Sequence, residues 1–584
     1  MGDAQDLLVR GNEVHMTVLG KCLKLFLLVV AGLITLPVVS TAHQPTQSPS
    51  KPVTQSKLAT LNFPTSARSQ EVQAHFLRGV AALHSFWYPV AVDEFQAATR
   101  IEPEFMMGYW GEAMAHNHPL WGDQQETEAA RSALAKITIT RHQTPLEVAY
   151  LQAIEVLYGE GDKPVRDQAY TAAMEKLYRE HPDDLEAASF YALALLSTAR
   201  PNDPTALRTR MQAAAIALEV YRREPNHPGA AHYIIHALDD PDHAILALPI
   251  ARHYVEMAPP GHHAQHMPLH VFQQLGMWSD ATAANEAAWE ASDHWVRSNN
   301  LPMNRRDYHS LHWLFYGYLQ QGRYREAKQL VTTMQQSLEQ FPKDDPRLLA
   351  YGAYIDASIT AAMLIETEGW ENAETFLPAE QNIAQSAQQL DGAGSNSDQT
   401  FMAVTRIPAI FARGLAAAMI GSPQSQESLS ALRTIREQSG RSHEPVIEQM
   451  TKMAEIYELQ ISAVAEVSKG NVDQATPILR KASALEEAVS QPGPPLKPSH
   501  ELYGELLLRT NRSTQAVQQF KKSLFRYPNR ARSLLGAARA AARSGNKSGA
   551  AQAYAQLSRQ WQQGDPNLAV LREAQEYIQQ VSAR

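Results

Sequence analysis

The 584-residue sequence has a single cysteine, Cys22. Without a second thiol there is no intrachain disulfide framework, and a cysteine-built zinc site or iron–sulfur cluster is excluded. A basic surplus is missing too. The 52 Lys and Arg are outweighed by 61 Asp and Glu, for a net charge of −9, which argues against a nucleic-acid partner, since that needs a basic face. Alternating β-branched stretches and Asn-Gly turns are scarce, so a sandwich or barrel is not expected. There is no nucleophile elbow, phosphate loop, dinucleotide fingerprint or zincin motif, and hence no definite enzyme class. The chain is also too long for one hydrophobic core, which stops growing beyond roughly 250–300 residues.

Long apolar runs are nearly absent, and the exception is informative. Leu25 to Val39 is 15 residues of almost unbroken apolar sequence, preceded by Lys21 and Lys24 and followed by Ser40-Thr41-Ala42. A short apolar run with a basic front and small residues behind is the pattern of a secretory signal, whereas spanning a bilayer takes about 20 residues. Residues 1–42 are therefore expected to be a signal peptide, and the protein to be exported to the periplasm or the cell exterior. Cys22 leaves with that segment, and no stable membrane span is expected afterwards. Residues 43–70, rich in Pro, Gln, Ser and Thr, are expected to form a flexible linker.

From about residue 70 the apolar spacing is helical, and it repeats. Gly79, Ala91, Phe95, Ala98 and Pro103 are spaced as are Gly504, Ala516, Phe520, Ser523 and Pro528, and Ala538, Ala550, Tyr554 and Leu557 follow the same register. Gly276 with Ala281, Gly322 with Ala327, and Gly470 with Ala475 mark further turns and second helices. Small residues permit close helix approach, an aromatic ring fills the gap, and proline stops the second helix. The pattern resembles the tetratricopeptide-repeat family over about 72 to 580. That resemblance implies an all-α superhelical solenoid of helical hairpins, with a concave groove that holds peptides or partner helices. The expected organisation is an N-terminal array over 71–342, divergent helical hairpins over 343–450, and a C-terminal array with a capping helix over 451–584. The stretches His84-Ser-Phe-Trp-Tyr88, Ala231-His-Tyr-Ile-Ile-His236-Ala, His266-Met-Pro-Leu-His270 and Lys497-Pro-Ser-His-Glu-Leu-Tyr503 look like those of a group of exported bacterial proteins of this kind, whose members generally have no assigned activity.

Histidine is what the sequence has in excess. Of 22, 12 lie between His227 and His312. With units beginning at 228, 262 and 308, His232 and His236, His266 and His270, and His309 and His312 fall on the groove-lining helix of three successive hairpins. A four-residue step keeps two side chains on one helical face, about 5–6 Å apart at Cβ. Imidazole suits divalent transition metals such as Zn or Cu. These six are the predicted metal ligands, and Asp239, in phase with them, is the predicted catalytic base. Pro268 should kink its helix or make the first turn irregular, and His262 and His263 are expected at the helix entrance. Trp110, Asn117 and His118, also in phase with the groove, are the candidates for a cofactor- or ligand-binding wall. Arg305 and Arg306 lie in an insertion and are candidates for an anion clamp.

Two functions of different class follow: an exported scaffold that binds a protein or peptide in its groove, or a metal- or small-ligand-binding protein, with a histidine-ligated metalloenzyme of unknown reaction as its extension.

Overall fold

The computed structural model describes residues 61–120, 125–200, 203–257, 261–342, 345–377, 396–442, 444–489 and 493–583. The signal segment, most of the predicted linker, and the front of the Gly/Ser/Asn/Asp-rich loop near Asp391 lie outside these residues. Among the described residues the fold is all-α, with no β-strand and one isolated bridge between Asn117 and Gln125. Helix follows helix in antiparallel pairs: Gln70–His84 with Tyr88–Ile101 at the N-terminal end, Ser499–Arg509 with Ser513–Arg526 and Ala531–Arg543 with Lys547–Gln560 near the C-terminal end. A last helix, Ala569–Ser582, lies against the preceding pair.

The hairpin spacing has a simple steric origin. Phe95 is fully buried, and a Cβ added at Gly79 or at Gly111 would come within 2.6 or 2.3 Å of its ring. The ring therefore occupies the room that two missing side chains leave on the helices either side. Phe520 does the same between Gly504 and Gly536, where the corresponding approaches are 2.8 and 2.2 Å. Ala91, Ala98, Ala516 and Ala550 are all fully buried beside these contacts. Larger side chains there would force the helices apart, at a typical cost of about 1–3 kcal/mol.

The expected linker ends earlier than residue 70. Leu61 and Phe63 are buried, and Phe63 packs its ring against Phe76, Trp110 and Tyr150 at 5.2, 5.9 and 5.0 Å. The two aromatic and aliphatic side chains in this otherwise polar stretch pull it onto the first hairpins. The apolar helical stretches Pro346–Glu366 and Asp398–Met419 are long enough to cross a membrane, but most of each is buried inside the fold. They are core helices.

Turns of the N-terminal array dock on the C-terminal array. Gly276, with φ +66°, accepts a hydrogen bond from Asn529 Nδ2 at 3.0 Å, and Trp278 Nε1 donates to the Asn529 carbonyl at 3.0 Å. The Gln320 carbonyl accepts from the Trp561 indole N–H at 2.9 Å, and its side-chain oxygen accepts from the Ala531 amide at 2.9 Å. Below this seam Arg530 is completely buried. It pairs with Glu366, donates to Glu501 at 2.7 Å and to the Tyr316 hydroxyl at 2.7 Å. Lys497 adds bonds to Glu501 and Glu505 at 3.1 and 2.7 Å. One guanidinium thus ties the Tyr308–Gln320 helix, the Pro346–Glu366 helix and the C-terminal array together. Removing one partner from such a set strands the others, at about 3–5 kcal/mol.

The seam generates a contrast between two glycines. Gly276 and Gly545 both have positive φ, but a Cβ at Gly276 would lie 2.4 Å from the Pro528 carbonyl oxygen, while nothing lies within 4 Å of one at Gly545. Gly545→Ala should therefore cost only the left-handed backbone penalty, about 1–2 kcal/mol. Gly276→Ala should cost clearly more, because docking is lost as well. Denaturant unfolding of the two variants side by side checks this.

Candidate metal centre

The helix Pro228–Ala237 carries His232 and His236 one turn apart. The next stretch is divided as Pro268 requires: His262–His266 ends at Met267, and Pro268 opens a second helix, Pro268–Gln274. His263 and His266 sit before the break and His270 after it. The helix Tyr308–Gln320 supplies His309 from its first turn, with Asp307 as N-cap accepting from the Ser310 amide.

These helices gather six imidazoles into two trios. His232, His236 and His263 form one and His266, His270 and His309 the other, with one ring nitrogen per residue falling within 4.8 Å of its two partners. The trios adjoin: the His236 and His270 rings are 6.0 Å apart and those of His263 and His266 6.2 Å. His232 and His266 are fully buried, and the other four are partly so. Five of the six predicted ligands thus fall into two groups of three, with His263 completing the first group and His312 in neither.

Hydrogen bonds to the outer ring nitrogens fix the proton positions. His270 Nδ1 contacts Asp239 Oδ2 at 2.8 Å, and His266 Nδ1 contacts Asn285 Oδ1 at 2.7 Å. Both partners are acceptors, so both Nδ1 atoms carry the proton and both Nε2 atoms present a lone pair. Yet these two Nε2 atoms face each other at 3.1 Å. In the other trio, the His84 carbonyl takes the Nδ1 proton of His232 at 2.6 Å, and His232 Nε2 stands 3.2 Å from His263 Nε2. At the His266–His270 contact two lone pairs face each other, and they repel unless a cation lies between them. Metal–nitrogen bonds of about 2.0–2.1 Å at tetrahedral angles set donor nitrogens about 3.3–3.4 Å apart, close to what is seen.

Protonation would be the alternative cation, and burial opposes it at His232, His236, His263, His266 and His309. Desolvation pushes His232 down to about 3 and His309 down to about 4. Burial first, and then the neighbouring imidazoles, hold His236, His263 and His266 well below the usual histidine value. At neutral pH these rings are uncharged, as metal ligands must be. Burial would raise the Asp239 carboxyl, but His270 beside it outweighs that and holds it low. Asp239 also accepts from Gln274 at 3.0 Å. Asp239, the predicted catalytic base, thus has both carboxylate oxygens engaged and stands where it orients His270.

Phe86 forms the wall of the first trio. Its ring lies 4.4 Å from that of His232 and stacks on His236 and His263 at 5.8 and 5.4 Å. The residue has φ +54°, a left-handed conformation that a bulky side chain adopts only at a cost of order 1–3 kcal/mol. That strain turns the chain between two helices and delivers the ring to the histidines.

Other predicted residues lie elsewhere. His312 is corrected: it packs 6.2 Å from the Tyr354 ring and close to Gly493. Trp110 is also corrected. It is 1% exposed, wedged among Phe63, Phe76, Tyr150 and Phe190, because this indole fills the junction between the first hairpins. Asn117 accepts from Gln125, and His118 stacks on Tyr88 at 4.3 Å, which in turn stacks on Phe86. Neither joins the trios. Arg306 pairs with Asp293 and lies over the Trp289 ring, whereas Arg305 is exposed. His263, Asn285 and Phe86 were not singled out by the sequence, although His263, His266 and His270 have the 3-and-4 spacing of one helical face.

A third set, His84, Glu186 and His227, also has ligand-type atoms within 4.8 Å. Its hydrogen bonds make it a different object. His227 Nδ1 accepts from the Ala230 amide at 3.1 Å, so Nε2 holds the proton and points it at Glu186, 3.3 Å away. His84 contacts Glu186 through Nε2 at 2.6 Å and the Tyr233 hydroxyl through Nδ1 at 2.8 Å. A carboxylate between two imidazole N–H groups is a satisfied buried network, and it holds the His84 carbonyl where His232 needs it.

No protein-family model matches the chain, and no curated protein matches it. Among solved structures it is similar to the human IFIT1 dimer with m7Gppp-AAAA, at 13% identity over 84% of this chain and 90% of that one, with a TM-score of 0.33. It is similar to yeast Tom70 at 11% identity over 72% and 86%, with a TM-score of 0.33. The P58(IPK) TPR domain gives 14% identity over 69% and 100%, with a TM-score of 0.20. These likenesses stop at the helical-repeat architecture.

His312, buried but outside the trios, supplies a clean acid-stability prediction. Burial lowers it to about 3, so as pH falls below 6.5 the unfolded chain gains a proton that the folded one refuses. Its contribution to stability is complete above that value and is lost as pH falls toward 3. At pH 5 the loss is about 2 kcal/mol. The drop in unfolding free energy of metal-free protein between pH 7.5 and 5.0 should be about that much smaller in His312→Asn.

Proposed function

We propose that this protein is a metalloprotein in which a helical-repeat array holds two transition-metal ions in adjoining three-histidine sites. The observation that carries the reading is the His266–His270 pair: two Nε2 lone pairs facing each other at 3.1 Å, each fixed by an acceptor on the far side of its ring. Orienting partners of this kind are what hold ligating imidazoles in one tautomer. The donors are all imidazole nitrogen, which suits Cu and Zn, with Cu bound the more tightly at equal geometry. Three protein ligands leave a fourth position for water or a substrate, so the arrangement is that of a reactive centre more than a structural clip.

The repeat architecture also supports an interaction scaffold, and a protein partner on the array is compatible with a metal centre inside it. Export remains part of the proposal, supported by Lys21, Lys24, the Leu25 to Val39 run and Ser40-Thr41-Ala42. An oxidising compartment fits a centre with no thiolate ligand.

Elemental analysis of protein purified without a polyhistidine tag tests this. Two equivalents of Cu or Zn per chain are expected, natively or after reconstitution. His270→Ala and His236→Ala should each remove about one equivalent while leaving the helical circular dichroism unchanged. Absence of stoichiometric metal under both conditions would overturn the proposal.

A further inference from the structure

Beside the histidine centre lies a cavity of about 220 Å³ lined by Trp87, His262, Trp295, Asn304, Arg305 and Leu348, together with one proline. It adjoins the centre through the backbone on two sides. Trp87 directly follows Phe86, whose ring walls the first trio, and His262 directly precedes His263. A Cβ at Gly261 would touch the Trp87 indole at 3.0 Å, so the His262–His266 helix starts against that ring. Asp307, which binds His262 Nδ1 at 3.0 Å, also acts electrostatically on His309 and His266 of the second trio.

The lining has a definite chemistry. Two indoles give flat apolar walls suited to an aromatic ring. Arg305 is exposed and has no ion-pair partner among the described residues, in contrast to Arg306 next to it, which is paired with Asp293. A guanidinium presents its donors in a planar fork that matches a carboxylate. His262 donates from Nδ1 to the Asp307 carboxylate, so its Nε2 is left as an acceptor. The Trp87 indole N–H and the Asn304 side-chain oxygen are buried without a hydrogen-bond partner, and unsatisfied groups of this kind cost about 1–3 kcal/mol each. The volume is below the roughly 300–1,000 Å³ of a site for drug-sized ligands. It suits one ring.

We infer that this cavity binds a single-ring aromatic carboxylate, its ring between Trp87 and Trp295 and its anionic group on Arg305. This does not rest on the metal reading above, because every group that makes the pocket belongs to the protein alone.

The test uses the full chain stripped of metal, with benzoate and 4-hydroxybenzoate as probes and acetate and benzyl alcohol as controls. Titration is followed by calorimetry and by indole fluorescence. Both aromatic acids are expected to bind and to change the fluorescence, with acetate and benzyl alcohol at least ten-fold weaker. Arg305→Ala, a change at an exposed residue, should weaken benzoate at least ten-fold, and Arg305→Lys should restore part of it. Trp295→Leu should weaken the aromatic acids while leaving acetate unaltered. Equal affinity for acetate and benzoate, indifference to Arg305→Ala, or no binding of either aromatic acid would overturn the inference. A protein that binds benzoate this way but takes up no metal would instead overturn the proposed function.

Discussion

A phenyl ring that occupies the space of two absent side chains sets the distance between neighbouring helices, and the rest of the molecule inherits that distance. Phe95 between Gly79 and Gly111, and Phe520 between Gly504 and Gly536, give both ends of the chain the same hairpin pitch. Because the pitch repeats, equivalent positions of successive hairpins face the same way. The histidines converge for that reason. No single helix could place six imidazoles around two points, but four helices held in fixed positions can, each contributing one or two.

What the hairpins supply in position, the surrounding acceptors supply in protonation. Asp239, Asn285 and the His84 carbonyl come from three different segments, and each takes the Nδ1 proton of one ring. Those three rings then turn their lone pairs inward, where burial disfavours protonation of His232 and His266. Such an arrangement is costly to a protein that leaves it uncompensated. The strained backbone at Phe86 adds to that cost in the same place, and concentrated strain with concentrated polarity is the mark of a site kept for its chemistry.

Much of this could be read from residues alone. The small–aromatic–proline spacing specified helical hairpins because close packing tolerates few side chains at the crossing. His232 and His236 kept their phase because they lie one turn apart on a single helix, and His266 and His270 kept theirs across the break at Pro268. Phase failed where the helix was interrupted. Pro268 divides one helix in two, and His263, at the entrance of the first piece as expected, also reaches the first trio. A 12-residue insertion before Tyr308 resets the register, so His309 enters the second trio and His312 turns away. Trp110 shared the groove phase but was taken by the core, since an indole is large enough to bridge two hairpins. The seam between the arrays had no sequence signal at all. Its bonds run between main-chain groups and side chains some 200 or more positions apart, and local periodicity does not reach that far. The Lys497 to Tyr503 stretch, distinctive as sequence, serves this seam through Lys497 and Glu501.

The seam also bears on the order in which the centre can be completed. Five of the six imidazoles lie on segments that end by Gln274, whereas His309 belongs to the helix Tyr308–Gln320. The far end of that helix is clasped by Arg530 and Trp561 through Tyr316 and Gln320. His309 is therefore steadied by residues synthesised some 200 or more positions after it. A nascent chain can assemble the first trio early, but the second is steadied only once those residues have been made.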